Sequence, residues 1–314
     1  MAINRSPFMS WKPIIVGVDA SPAGGHAAQL GLMIAAAADV ECRLVHATRD
    51  VRTALPDTAQ SAQAAAFRAA ALHAVRERLN VALEGTVPWK TLHQTDVKEG
   101  WAPAVLDDAV RESGADLVIL GAKHHSAFGR WLGGSTVHNV ARMLRAPMIV
   151  TGEPPARIRR VLVALDASAA ACPTYEAARR LADLFDAELK ALHVIEPLPI
   201  LPETPPPVNG AEYLRLMEED CSEKVWPIVG PDAARAIRHA VADIGIAAEA
   251  KAWQADVVVV GSHGKGLVER MLVGSVTERL LSDLPAPILV VVPAGKKAER
   301  AARTTSPERQ AVTA

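Results

Sequence analysis

Four residues late in the chain have the types and spacing to hold a phosphate: Gly261, Gly264, Gly274 and Ser275, in the pattern G-x2-G-x9-G-S. Gly261 and Gly264 follow an apolar run, and without a Cβ they let the backbone turn tightly and approach a bound group closely. Gly274 and Ser275 open a helical stretch, where free N–H groups and the positive end of the helix dipole attract anions. The serine hydroxyl can add a donor, and Lys265 stands where it can either reach a phosphate or remain a solvated loop lysine. Neither the P-loop pattern GxxxxGK[ST] nor the dinucleotide pattern GxGxxG is present, which disfavours a P-loop NTPase or a classical NAD enzyme.

Plainer roles exist for the same residues. Ser275 and Glu278 spell a capping box, although capping leaves the surrounding glycines unexplained. Gly121 and Gly261 can serve as strand terminators, and Asp19 and Asp166 as ordinary acidic residues at helix N-termini. His46 and His193 each fall at a strand end and read as satisfied core histidines rather than ligands. His124 and His125 are adjacent, so their side chains diverge, and no third ligand accompanies them; no metal is expected.

The elements that must position these groups come twice. The stretch from Pro13 to Ser21 returns from Arg160 to Ser168, and Arg43 to His46 returns as Lys190 to His193, both offset by 147 (166 − 19). Ala115 to Gly121 returns as Ala255 to Gly261, offset by 140 (261 − 121). Gly134, Ser135 and Ala146-Pro147 return at Gly274, Ser275 and Ala286-Pro287 with the same 140. The blocks keep their order, and the seven-residue change falls between His46 and Ala115, where loop length varies at little cost. The chain is a tandem duplication.

Each copy alternates strands and helices. Ile14–Val18, Leu44–Ala47, Leu117–Leu120 and Met148–Val150 are nearly unbroken apolar runs, as expected for strands covered on both faces. Helices are expected from Pro22, with Ser21 as N-cap, to about Ala38, and over about 62–83, 102–112 and 137–144. A weaker strand is expected over about Trp89–Gln94. The second copy matches with strands over Val161–Leu165, Leu189–Ile195, Ile237–Val241, Asp256–Val260 and Ile288–Val292. The fold class is therefore α/β: two tandem doubly wound domains, each a five-stranded parallel sheet with helices on both faces and ligands at the carboxyl ends of the strands. The domains are expected at 11–151 and 158–293, joined by a short proline-bearing linker. Flexible tails are expected over 1–10 and 294–314, and an extended loop over the proline-rich stretch 198–208.

These motifs resemble the universal stress protein family, in its tandem type. The resemblance covers about 11–151 and 158–293 and rests on the glycine motif, on the strands ending in Asp19 and Asp166, on the strand-end histidines and on Ala-Pro before each last strand. It implies ATP as ligand, with or without Mg. By that resemblance Asp166 contacts the adenosine, Ala164 and Val194 flank the adenine beside Val260, and Gly261, Gly264, Gly274 and Ser275 hold ribose and phosphates, with Lys265 nearby. In the first copy Asp19, Gly121, Gly134 and Ser135 match, but His124 stands where the family has its second glycine. One lost charge-assisted hydrogen bond, about 1.5–3 kcal/mol, would weaken binding there by about ten- to a hundredfold. The family also pairs its domains through the last strand, so an intrachain pair is expected, with a homodimer as a further option.

Composition bounds the remaining classes. Lys plus Arg is 34 against 35 for Asp plus Glu, a net charge of −1, which argues against a nucleic-acid binder acting through bulk positive charge. Half the residues are hydrophobic but aromatics are only 4%, so Ala, Val and Leu must pack the cores, as in α/β layers. Cys42, Cys172 and Cys221 share no ligand spacing, and no apolar run approaches the roughly 20 residues of a membrane span. A cytoplasmic regulatory protein that binds ATP without turning it over is expected. The alternatives are a nucleotide-independent scaffold and a weak ATPase or autophosphorylating protein.

Overall fold

The computed structural model describes residues 11–48, 62–122, 136–143, 146–198, 209–262 and 273–292. The expectations for both tails, for residues 199–208, and for His124, His125, Gly134, Ser135, Gly264 and Lys265 lie outside the described residues. The first copy runs β1 (Ile14–Gly17), α1 (Pro22–Ala38), β2 (Cys42–Thr48), α2 (Ala62–Leu83), α3 (Trp89–His93), β3 (Asp96–Glu99), α4 (Ala102–Ser113), β4 (Leu117–Gly121), α5 (Thr136–Met143) and β5 (Met148–Thr151). The second runs β6 (Arg160–Ala164), α6 (Ala171–Phe185), β7 (Glu188–Ile195), α7 (Gly210–Lys224), a 3-10 turn at Trp226–Ile228, β8 (Ala234–His239), α8 (Ala242–Trp253), β9 (Val257–Gly261), α9 (Ser275–Asp283) and β10 (Ile288–Val291).

The ten strands among the described residues join one sheet, in the order β3-β2-β1-β4-β5-β10-β9-β6-β7-β8. Within each copy the pairs are parallel; β5 and β10 meet antiparallel, with Ile149 opposite Leu289. These two residues are equivalent in the repeat (289 − 149 = 140), so the junction is a local twofold. A last strand left open would present unpaired backbone and apolar side chains; here each covers the other, and Met148 to Val150 and Ile288 to Val290 are all at least 96% buried. Above the junction, Arg180 of α6 pairs with Asp116 at 3.1 Å and lies 4.0 Å from the Trp11 ring centroid. Arg142 of α5 meets Glu278 of α9 at 2.8 Å.

Alternation along the strands divides the core into two layers. Ile14, Val16, Ile119, Ile149, Val161, Val163 and Val259 face α1 and α6; Ile15, Val118, Val150, Leu162, Val258 and Val260 face α4, α5, α8 and α9. The outer strands β3 and β8 carry charged side chains, which discourages further pairing at either end of the sheet.

Ser21 caps α1 as expected, its hydroxyl accepting from Gly24 N–H at 3.4 Å. The strand expected over Trp89–Gln94 is instead the short helix α3, with β3 following at Asp96. Trp89 and Leu92 stand three apart, a helical spacing, and the Pro88 carbonyl accepts from both Thr91 and Leu92 N–H. Leu92 is buried while Trp89, at the first helical position, is exposed, so the short helix reaches the core through Leu92.

Candidate functional site

In the second copy the expected site residues gather where the chain reverses its direction across the sheet. From β6 the chain adds β7 on one side and, later, β9 on the other, so the carboxyl ends of β6 and β9 border a topological switch point. Ala164 and Gly261 end these two strands, Asp166 follows β6, and Val194 lies near the end of β7. Ala164, Asp166, Val194, Gly261 and Gly274 are partly exposed and Ser275 is exposed, whereas the Val260 side chain is buried in the layer under α8 and α9. Val260 can therefore offer a ligand only its backbone.

Two hydrogen bonds fasten α9 to the end of β9. Gly274 N–H donates to the Ser262 carbonyl at 2.7 Å, and the Thr277 hydroxyl donates to the Gly261 carbonyl at 2.9 Å. Residues twelve apart in sequence, 262 and 274, are thus in contact. The capping box that Ser275 and Glu278 spell, the plainer alternative for Ser275, is not formed: Gly274 occupies the cap position, Ser275 is the first helical residue, and no side chain among the described residues caps α9. The bond to Ser262 holds Gly274 extended and starts the helix one position away from what a serine cap requires. The amino end of α9 keeps its positive dipole for a ligand.

The turn after β6 is equally ordered. Ser168 donates to Asp166 Oδ1 through both its N–H (3.2 Å) and its hydroxyl (2.5 Å), and its hydroxyl oxygen accepts from Ala170 N–H at 3.2 Å. His193 Nδ1 lies 2.7 Å from the Leu165 carbonyl, and in the first copy His46 Nδ1 lies 2.8 Å from the Val18 carbonyl. Both histidines are thus satisfied within the protein. Glu196, just past β7, accepts from Ala242 N–H at 3.1 Å and caps α8. Sequence reasoning passed over Ser168, Glu196, Ser262 and Thr277. Of these, only Thr277, a β-branched hydroxyl residue in the first turn of a helix, carried a readable signal.

The first copy is arranged differently at the corresponding place. The Ser21 hydroxyl donates to Asp19 Oδ1, and α1 begins at once with Pro22. A Cβ on Gly121 would lie 2.0 Å from the Ala23 carbonyl oxygen, and one on Gly24 would lie 2.3 Å from the Asp19 carbonyl oxygen. The first turn of α1 therefore rests directly on the end of β4 and on the backbone of Asp19. His26 Nδ1 bonds the Gly152 carbonyl at 2.7 Å and ties the same turn to the linker. Gly121 thus permits the close approach of α1 to the end of β4. In the second copy α6 starts at Ala171, two positions later than the repeat offset would put it (22 + 147 = 169). Ala171 itself stands where the first copy has Gly24 (24 + 147 = 171).

Burial, with the Glu41 charge beside it, pushes the Cys42 thiol up to about 12, and the exposed Cys172 thiol is also raised, by desolvation and by Glu176.

The model of the universal stress protein family matches residues 10–152 and again 157–292. The chain belongs to the universal stress protein family. It is 29% identical over 291 residues to a universal stress protein of Mycolicibacterium smegmatis, covering 89% of this chain and 97% of that one. It is likewise 29% identical to universal stress protein MT2052 of Mycobacterium tuberculosis, over 88% of this chain and 94% of the relative. The crystal structure of a universal stress protein from Archaeoglobus fulgidus superposes with a TM-score of 0.60 at 19% identity, covering 91% and 97% of the two chains, and shares the fold. Two family domains in one chain agree with the tandem doubly wound architecture. Among the described residues, no helix is long and apolar enough to cross a membrane.

Proposed function

We propose that the chain is a regulatory module of the stress response that binds one ATP, in its second copy, and holds it without turnover. The observation that carries this reading is the fastening of α9 to β9 through Gly274 and Thr277, which sets an uncapped helix N-terminus beside Gly261 and the Asp166 turn. A phosphate suits the helix N-terminus, where N–H groups and dipole act together. A carboxylate such as Asp166 suits hydroxyl donors on a ribose, and the partly exposed Ala164 and Val194 offer an apolar surface to a base. Gly264 and Lys265 complete the motif in sequence, and any Mg would arrive with the phosphates. Binding and positioning need only these groups; phosphoryl transfer would also need a placed base and metal-binding carboxylates.

The test is direct. Chain purified without added nucleotide is denatured, and the extract is assayed for adenine nucleotide by absorbance and mass spectrometry, followed by calorimetric titration with MgATP. The reading expects one ATP per chain and no release of phosphate over hours. Two equivalent sites per chain, or no binding to the full-length protein, overturns it. A copy that serves as scaffold is favoured for the first half alone, because α1 rests on Gly121 there.

A further inference from the structure

We infer that His193 is a positioning residue of the second-copy site: its imidazole sets the direction in which the chain leaves β6, and so the placement of the Asp166 carboxylate. The inference rests on the nucleotide reading above and adds to it a residue outside the glycine motif. The parallel ladder between β6 and β7 ends with Ala164 opposite Leu192, after which Leu165 N–H still donates to the Leu192 carbonyl at 2.9 Å. The Leu165 carbonyl is then held by a side chain, His193 Nδ1 at 2.7 Å. A carbonyl only accepts, so Nδ1 carries the proton and donates, and both the neutral and the charged imidazole keep that donor. Peptide planarity makes the Leu165 carbonyl and the Asp166 nitrogen one rigid unit. Holding the first orients the second, and with it the Asp166 Cα.

The geometry of the strand places the ring under the turn it controls. Ala191 packs in the layer beneath α6, and alternation sends the His193 side chain to the same face two residues on. His193 is only 9% exposed, so water competes little for the carbonyl. The same device recurs in the first copy, where Val18 N–H donates to the Val45 carbonyl at 2.9 Å, His46 holds the Val18 carbonyl, and Asp19 follows. The two histidines do the same mechanical work, but only one of them serves an Asp that faces the proposed ligand. His46 is therefore an internal control.

The experiment uses the full chain with His193→Leu, His193→Asn and His46→Leu, MgATP titration, and hydrogen exchange of the Ser168 amide, which donates to Asp166. Removing the donor with His193→Leu is expected to weaken ATP binding by about tenfold. His193→Asn, which restores an N–H near the Nδ1 position, returns it to within about threefold of the parent. His46→Leu leaves the affinity unchanged. The Ser168 amide exchanges faster in His193→Leu and recovers in His193→Asn. The inference is overturned if His193→Leu binds as tightly as the parent while Asp166→Ala does not bind, or if His46→Leu and His193→Leu weaken binding equally. Should the parent chain bind no adenine nucleotide, the functional proposal falls, and Ser168 exchange alone decides: unchanged exchange in His193→Leu overturns the positioning role, and faster exchange rescued by asparagine supports it.

Discussion

The two copies share a sheet order, a histidine clamp and an Asp–Ser pair after the first strand, yet the helices that follow begin differently. In the first, Gly24 and Gly121 let the opening turn of α1 settle onto Asp19 and the end of β4. In the second, Ala171 replaces Gly24, the helix begins later, and Ser262 with Thr277 fastens the opposite helix to β9. The first copy has Ala122 and Val137 at those two positions, offset by 140, and cannot make the side-chain bond of Thr277. Cores of β-branched and aliphatic residues are nearly the same in both, because each strand must be buried on two faces whatever its loops do. A duplicated fold can thus vary its turns while keeping the packing, since packing lies in the strands and the turns lie beyond their ends.

Four sets of substitutions would break or sharpen this contrast. The largest effect is expected at the strand junction. Ile149→Asp or Leu289→Asp puts a charge opposite a fully apolar strand, a loss of more than about 4 kcal/mol. Reduced thermal stability and faster proteolysis near Pro154 would show the copies coming apart; a melting curve like that of the parent would mean that the pairing contributes little.

Next is the exchange of motif residues between copies. Gly264→His is expected to weaken ATP binding about ten- to a hundredfold while leaving the melting temperature within a few degrees, because the first copy carries His124 at that position. The reverse change, His124→Gly, creates no second site, since α1 still rests on Gly121. Calorimetric stoichiometry reads both outcomes, and a gain to two ATP per chain would refute the closure of the first copy.

A smaller effect follows from exchanging the helix starts. Gly24→Ala places a Cβ against the Asp19 backbone and should destabilise the chain by about 2 kcal/mol, despite alanine's better helix propensity. Ala171→Gly is expected to cost about 1 kcal/mol, from helix propensity alone. Denaturant midpoints at constant m-value distinguish the two.

The smallest effect concerns a charge network present in one copy only. Burial raises the Glu249 carboxyl, but hydrogen bonds from Arg238 (2.5 Å) and Lys190 (3.1 Å) outweigh it and hold the group below its usual 4.5. The first copy has Ala109 there (249 − 140 = 109). A depressed carboxylate stabilises the fold above its unfolded pKa and loses that contribution as pH falls through the folded one. Glu249→Gln should therefore cost about 1 kcal/mol at pH 7, and the gap from the parent should close below pH 4.5. An equal gap at pH 3 and pH 7 would remove the charge from the explanation.

Much of this was readable from residue order. The repeat offsets, the apolar runs and the Ser21-Pro22 start of α1 are local signals, and local signals report the period and the caps of an element directly. The same holds for G-x2-G-x9-G-S, whose spacing alone pointed to a phosphate. Contacts between distant residues were not readable in that way. Trp89–Leu92 reads as strand or helix until the core decides which side chain is buried, and Ser275 reads as a cap until Ser262 claims Gly274. Gly24 and Gly121 are 97 positions apart, and nothing in either one's neighbourhood reports that the first turn of α1 will rest on the end of β4. Sequence by itself determined the duplication, the strands and the candidate chemistry, because these depend on near neighbours. Tertiary structure alone decided how the turns beyond the strand ends are held, because that depends on where a Cβ from one element would meet the backbone of another.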